Sequence, residues 1–213
     1  RSAMSLVIGA LWQRGTISNY MYAAEYNPVD EQKALNEVRL QMAHSDAVQS
    51  VYLYNRHTGV LSSVEPVYGE TGAADAVYRE HLDAGFAGFT RAIALPAYES
   101  EARTIPRRYI SIIAKDVWWA NRAVDRAMIV NLRESAFLMS VAESDADPAG
   151  RIFIIGRDGT VLAASDPAYF GQDFSDYPAV ARAMGNSLTG GTFETDSDDF
   201  IGDTTYLVSF TRS

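Results

Sequence analysis

The feature that most constrains this chain is an ordered internal repeat. Residues 51–63 (VYLYNRHTGVLSS) and residues 152–165 (IFIIGRDGTVLAAS) each contain an apolar strand, a turn with Arg and Gly, and a Val-Leu strand that ends in Ser. The turn glycines, Gly59 and Gly159, are 100 residues apart. Strand, Gly turn and strand predict a β-hairpin at each place, and two such places suggest a copied structural unit.

The two copies continue in the same order after their hairpins. An aromatic-Gly pair follows in each, Tyr68-Gly69 in the first and Phe170-Gly171 in the second. A predicted helix comes next, at about 73–83 in the first copy and 178–184 in the second, and then strand-rich sequence. This ordered continuation favours a structural duplication over a coincidental pair of hairpins.

The N-terminal segment, residues 1–46, has a different pattern. Its apolar residues recur at helical spacing and predict a helical stalk, either a helical hairpin or one long kinked helix. Asn27-Pro28 interrupts the pattern, and Asp30 can cap a second helix. The apolar stretch from Ala3 to Trp12 is shorter than the ~20 residues that span a bilayer, so it does not predict a membrane helix. We interpret the chain, which does not begin with Met, as a piece of a longer protein.

The remaining sequence predicts an α+β fold of two units, each an antiparallel sheet with flanking helices. A polar segment with Pro148, residues 144–150, separates a first unit at 47–149 from a second at 150–213. Another strand would complete the second sheet, so we expect that unit to be truncated. The elements predicted after the hairpins and the helices named above are strands at 89–95, 109–115, 128–132, 191–195 and 205–210, and a helix at 134–143.

Composition excludes several classes of function. The 213 residues include 27 acidic and 18 basic side chains, and a net charge of −9 repels a phosphate backbone, so we expect no nucleic-acid binding. The chain has no Cys, which excludes disulfides, thiolate nucleophiles and thiolate metal sites. We predict no cofactor.

No catalytic or metal motif is evident. His44, His57 and His81 lack the spacing of metal ligands, and no GxSxG elbow accompanies a serine. The acidic run at 194–203 lacks the Gly and Glu that a calcium-binding EF-hand loop requires, so we interpret it as a solvated hairpin tip. Asp158-Gly159 is interpreted as a hairpin turn. We therefore do not expect an enzyme.

The order of these segments resembles that of a double Cache domain. The resemblance rests on SVYLYNRHTGVLSS, ISIIAKD, MIVNLRESAFLMSV, GRIFIIGRDGTVLAAS and YFGQDFSDYPAVARAM, and it covers nearly the whole chain. Double Cache domains are tandem PAS-like sensor modules of bacterial histidine kinases, chemoreceptors and some AraC-type transcriptional regulators. The resemblance implies an extracellular or periplasmic sensor whose membrane-distal unit, 47–149, binds a small molecule, while the second unit acts mainly in coupling.

The implied pocket lies between the sheet of the first unit and the loops around its helix. An arginine beside aromatic rings can hold a carboxylate while the rings cover an apolar or sugar group, so the ligand class stays open among amino acids, organic acids and sugars. Tyr52 and Tyr54 alternate with Val51 and Leu53, and only one of these pairs can face the pocket. The candidate ligand-binding residues are Tyr52, Tyr54, Arg91, Tyr98 in a loop, Arg108, Tyr109, Trp118 and Trp119.

A second interpretation assigns no ligand to the chain. In it, the tandem units serve dimerisation or bind a partner protein. The apolar face of the stalk predicts a parallel homodimer of the full-length protein under either interpretation.

Overall fold

The computed structural model describes a large part of the chain. The described residues are 13–43, 45, 47–64, 78, 79, 82, 90–100, 103–117, 124–135, 138, 151–186, 190–195 and 206–211. Only the backbone is described at 90–100, 103–107, 115–117, 124, 206, 209 and 211.

The described part of the predicted stalk contains two helices rather than one long helix. Helix α1 spans Gly15–Met21 and helix α2 spans Pro28–Met42. The side chain of Asn27 caps α2 by accepting a hydrogen bond from the backbone N–H of Val29. The cap is therefore Asn27 and not Asp30, because Pro28 is well suited to the first helical position and the helix already begins there.

Five antiparallel strands form the principal sheet in the order β2-β1-β5-β4-β3. The first and last of these strands in sequence, β1 and β5, are neighbours in the sheet, and β5 is its central strand. All three strands predicted between 89 and 132 are present, and each is longer than predicted. The five strands are β1 (Val48–Asn55), β2 (Val60–Val64), β3 (Thr90–Ser100), β4 (Arg103–Val117) and β5 (Val124–Arg133).

The two faces of this sheet are covered differently. On one face, which we call the helix face, Leu53, Met128 and Leu132 pack in one buried cluster with residues of α1 and α2. On the other face, Tyr52 and Ile129 pack in a second cluster that includes helical residues Tyr78 and Leu82. Alternation of side chains along each strand assigns neighbouring residues to opposite clusters.

The C-terminal region forms two separate antiparallel hairpins among its described residues. Strands β6 (Phe153–Ile155) and β7 (Val161–Ala164) form the first, and β8 (Gly190–Thr195) and β9 (Tyr206–Thr211) form the second. A helix, α3 (Pro178–Gly185), lies between them in sequence. Leu162 and Ala163 of β7 belong to the buried cluster on the helix face of the principal sheet, so the first hairpin packs against that sheet.

The two hairpins of the internal repeat share their turn geometry. Gly59 follows β1 with a φ of 67°, and Gly159 follows β6 with a φ of 84°. Positive φ is a conformation that glycine adopts readily and other residues rarely do. The prediction of two Gly-turn hairpins at these positions is therefore confirmed.

Candidate functional site

Four tyrosines lie on the face of the principal sheet that is opposite α1 and α2. We call it the tyrosine face, and its tyrosines are Tyr52 and Tyr54 on β1, Tyr109 on β4 and Tyr78 from the helical residues between β2 and β3. Each is less than 9% exposed. The rings of Tyr52 and Tyr78 pack edge to face, with centroids 4.9 Å apart.

A strip of hydrogen-bonded polar groups crosses the same face. Asn131 on β5 lies opposite Ser50 of β1 and Ser111 of β4 in the strand register. The Asn131 Oδ1 atom accepts hydrogen bonds from Tyr78 Oη at 2.8 Å and from Ser111 Oγ at 2.6 Å, and its Nδ2 donates to Ser50 Oγ at 2.9 Å. All four residues are at most 2% exposed. We call Ser50, Tyr78, Ser111 and Asn131 the polar strip.

Sequence reasoning missed the polar strip. A signal for it exists, because Ser111 and Asn131 each interrupt an otherwise apolar strand, in ISIIAKD and MIVNL. Buried polar side chains are stable only when they are hydrogen-bonded to each other or to a ligand. The described groups of the strip are hydroxyls and a neutral amide, which can recognise a ligand by hydrogen bonding.

The structure brings together three of the predicted ligand-binding residues. Tyr52, Tyr54 and Tyr109 share the tyrosine face, so the tyrosines of β1 face one way and Val51 and Leu53 face the helices. Arg91 pairs with Ser111 in the register of β3 and β4.

The remaining predicted residues have different outcomes. Tyr98 is in β3 and not in a loop, because β3 continues past Pro96 through a register irregularity. Trp118 and Trp119 lie outside the described residues. Arg108 does not join the tyrosines, since it neighbours Tyr109 on one strand and therefore points to the opposite side.

Arg108 instead lies where the principal sheet meets the C-terminal region. Its guanidinium is 3.9 Å from the carboxylate of Glu134, which follows β5, and 5.8 Å from the centre of the Phe170 ring. Glu134 also accepts a hydrogen bond from the backbone of Ala164 in β7, while its Oε1 atom is buried without a partner in the described structure. Burial raises the pKa of Glu134, an effect that the Ala164 hydrogen bond and the charge of Arg108 partly oppose.

A second network joins both N-terminal helices to strand β2. The hydroxyl of Tyr20 in α1 is 2.6 Å from Ser62 Oγ in β2, and Ser62 donates a hydrogen bond to the Glu31 carboxylate in α2. Tyr26 donates to the second carboxylate oxygen of Glu31. Burial raises the pKa of Tyr20, and the hydrogen bond to Glu31 raises the pKa of Tyr26. Glu31 thus acts as a common acceptor that fixes α1 and α2 on the sheet.

The described residues contain no group of three or more His, Asp or Glu side chains arranged to hold a metal ion. They also contain no helix with the length and apolar character that crossing a membrane requires.

Similar proteins are found by structure and not by sequence. No protein-family model matches the chain, and no curated protein matches it in sequence. The chain is similar to the extracellular domain of rpHK1S-Z16, which is described as a histidine kinase, with 15% identity and a TM-score of 0.54 over 97% of this chain and 84% of that chain. It is also similar to the periplasmic sensory domain of the Campylobacter jejuni chemoreceptor Tlp1, with 10% identity and a TM-score of 0.51 over 98% of this chain and 87% of that chain. The chain therefore has the fold of extracytoplasmic sensor domains of histidine kinases and chemoreceptors.

Proposed function

We propose that the chain is the extracytoplasmic sensing module of a bacterial signal-transduction protein, a histidine kinase or a transcriptional regulator. The chain is a double Cache domain in which a small molecule binds on the tyrosine face of the membrane-distal Cache unit at 47–149, and the unit at 150–213 couples this site to the membrane. The module itself is not an enzyme. The observation that carries the proposal is the likeness of fold, over nearly the whole chain, to the extracellular and periplasmic domains described above.

The chemistry of the tyrosine face supports a ligand at this place. Tyr52, Tyr54 and Tyr109 supply aromatic surface, and the polar strip supplies hydrogen-bonding groups next to it. Small-molecule sites commonly combine apolar walls with a few fixed polar groups. A ligand held there shifts the module between two arrangements only to the extent that it binds one of them more tightly.

A thermal-shift screen of the chain tests the proposal. The probes are separate panels of amino acids, organic acids and sugars, and we expect one panel to contain a compound that raises the melting temperature, since binding to the native state alone stabilises it by ~2.7 kcal/mol at 100 times Kd. We expect Tyr54→Phe, which removes only a hydroxyl, to weaken that shift. The matched control is Tyr22→Phe, because Tyr22 is exposed after α1.

Two results would contradict the proposed function. One is a set of panels in which no compound changes the melting temperature. The other is a shift that Tyr52→Phe, Tyr54→Phe and Tyr109→Phe all retain in full, because the ligand would then bind away from the tyrosine face.

One observation favours a second candidate function, a structural or dimerisation module without a ligand. The tyrosines are buried, and the groups of the polar strip hydrogen-bond to one another, as in a filled core. This candidate predicts that no compound in the panels shifts the melting temperature. The homodimer of the full-length protein is expected under both candidates, so the thermal-shift screen is the experiment that distinguishes them.

A further inference from the structure

The C-terminal end of α1 is held by side chains of the principal sheet. The last carbonyl groups of any helix lack partners within the helix and must find them elsewhere. Asn55 Nδ2 donates to the carbonyl of Ala23 at 2.9 Å and lies 3.4 Å from that of Tyr20. Arg126 Nε donates to the carbonyl of Met21 at 2.9 Å. The sheet therefore supplies the donors that terminate this helix.

The two donors form a structural pair. Asn55 ends β1, Arg126 lies in β5, and the strand register places them directly opposite each other. Asn55 is fully buried, and its Oδ1 atom accepts a hydrogen bond from the backbone N–H of His57 in the hairpin turn. The Arg126 guanidinium also lies 4.2 Å from the centre of the Tyr22 ring, which adds a cation–π contact.

The same two strands carry the tyrosine face. Tyr54 precedes Asn55 on β1, and Ala127 follows Arg126 on β5, and both point to the tyrosine face. Tyr54 and Ala127 are themselves register partners. Consecutive residues of a strand move together because the peptide unit between them is rigid. A shift of β1 against β5 on the tyrosine face therefore also shifts Asn55 against Arg126 at α1.

We propose that Asn55 and Arg126 form a clamp that locks α1 to the sheet, and that this clamp is where a displacement on the tyrosine face reaches the N-terminal helix. The second part rests on the proposed ligand-sensing function. The first part concerns the free protein alone. When the clamp opens, α1 loses its C-terminal partners and separates from the sheet while the sheet stays folded.

Hydrogen–deuterium exchange of the whole chain tests the clamp. Within α1, Ser18 N–H donates to the Arg14 carbonyl, and Tyr22 N–H donates to the Ser18 carbonyl, so both amides report on its opening. We expect Arg126→Gln to increase their exchange by about tenfold, because a charged donor is lost. Exchange in β1 should stay unchanged. The control is Arg133→Gln on the same strand, since Arg133 donates to Gln49 and not to α1.

A second variant acts on the other half of the clamp. Asn55→Asp keeps an oxygen to accept from the His57 N–H but removes the donor to the carbonyls of Ala23 and Tyr20, so we expect it also to accelerate exchange of α1. The clamp is wrong if both Arg126→Gln and Asn55→Asp fold and exchange in α1 at the wild-type rate. It is also wrong if Arg133→Gln opens α1 as much as Arg126→Gln does.

The coupling is tested with the same panels of amino acids, organic acids and sugars. We expect a compound that raises the melting temperature to change the amide exchange rate of α1 in wild type and in Arg133→Gln. The same compound should change that rate less in Arg126→Gln. A panel that raises the melting temperature without changing α1 exchange in wild type overturns the coupling. If no panel raises the melting temperature, the proposed function and the coupling both fail, and the clamp is judged on the variants alone.

Discussion

At the scale of single residues, buried polar side chains determine how this sheet is built. Asn131 holds Tyr78, Ser111 and Ser50 together, and Asn55 holds α1 and the β1–β2 turn. Each is fully or almost fully buried, so each lost hydrogen bond leaves a group that water cannot easily solvate. Such residues determine which strands and side chains pair, and they also stabilise the sheet.

Asn131→Ala should lower the free energy of unfolding by about 2–4 kcal/mol, because it leaves three buried hydroxyls without their shared partner. Urea denaturation measures the change. The control is Asn36→Ala in α2, where the side chain is exposed and accepts from Arg39, and this change should cost less than about 0.5 kcal/mol. Equal effects of the two variants would mean that the polar strip does not stabilise the fold.

Glu134→Gln should change the pH dependence of stability. Burial raises the folded-state pKa of Glu134, so the folded state binds a proton more tightly than the unfolded state does. The contribution of Glu134 to the free energy of unfolding is thus fully present at pH values below its unfolded pKa, near 4.3. This contribution is lost as the pH rises through the folded pKa. The Gln variant lacks this loss, so its stability relative to wild type should increase from pH 4 to pH 7.

Urea denaturation at several pH values measures this difference. Glu25→Gln, in the exposed segment between α1 and α2, controls for removal of one negative charge. A Glu134→Gln difference that stays constant from pH 4 to pH 7 would contradict the expected effect of burial.

At the scale of secondary-structure elements, the repeat provides a matched pair of glycines. A Cβ on Gly159 would lie 2.7 Å from Ser175 Cβ and 2.8 Å from the Ser175 backbone nitrogen, whereas a Cβ on Gly59 would meet nothing within 4 Å. Both residues have positive φ. Both turns thus require a residue that tolerates positive φ. The turn at Gly159 is closely packed against Ser175, whereas the turn at Gly59 has open space around it.

Gly59→Ala should therefore cost about 1–2 kcal/mol for the left-handed backbone alone. Gly159→Ala should cost more, because the clash with Ser175 adds to the same backbone term. Thermal unfolding of the two variants measures the difference. A Gly159→Ala protein as stable as Gly59→Ala would show that the turn at Ser175 yields without cost.

Much of this element structure is predictable from sequence, and the exceptions have physical causes. Alternating and apolar patterns located the strands, and Gly59 and Gly159 located two turns. The predicted strand at 89–95 ends before Pro96, a residue that disfavours a regular strand, whereas in the structure a register irregularity lets β3 continue to Ser100. Asp30 was predicted as a cap because Asn27-Pro28 was interpreted as an interruption, although Asn followed by Pro is also a signal for the start of a helix. The strand pattern also left open which side of β1 faces the helices, since both sides are apolar.

At the scale of the whole molecule, the C-terminal region and the principal sheet share a buried cluster. Leu162 and Ala163 of β7 belong to the same buried cluster as Val48 of β1 and Leu132 of β5. Sequence patterns predicted two consecutive units, but they contain no information on contacts between residues more than 100 positions apart. The polar strip and the contact of Arg108 with Glu134 join residues at smaller separations, and they escaped prediction because the strand patterns do not show which strands and side chains come together.

Leu162→Ala should therefore destabilise the principal sheet as well as the β6–β7 hairpin, by about 2–4 kcal/mol, because it leaves a cavity in the shared cluster. Hydrogen–deuterium exchange should be faster in β1 and β5 as well as in β7. Leu207→Ala is the control, since Leu207 in β9 is 72% exposed. Faster exchange confined to β6 and β7 would show that the region unfolds independently of the sheet.

Strand β1 has a further consequence for insertions and deletions. From Val51 to Asn55 every residue is buried, with Tyr52 and Tyr54 on one side and Val51, Leu53 and the polar Asn55 on the other. Inserting a single amino acid within this stretch would exchange the two sets and move aromatic rings into space shaped for Val and Leu. Residues 56–59 make an exposed or half-buried turn. Natural or engineered changes in chain length should accordingly be tolerated in that turn and rejected in the strand before it.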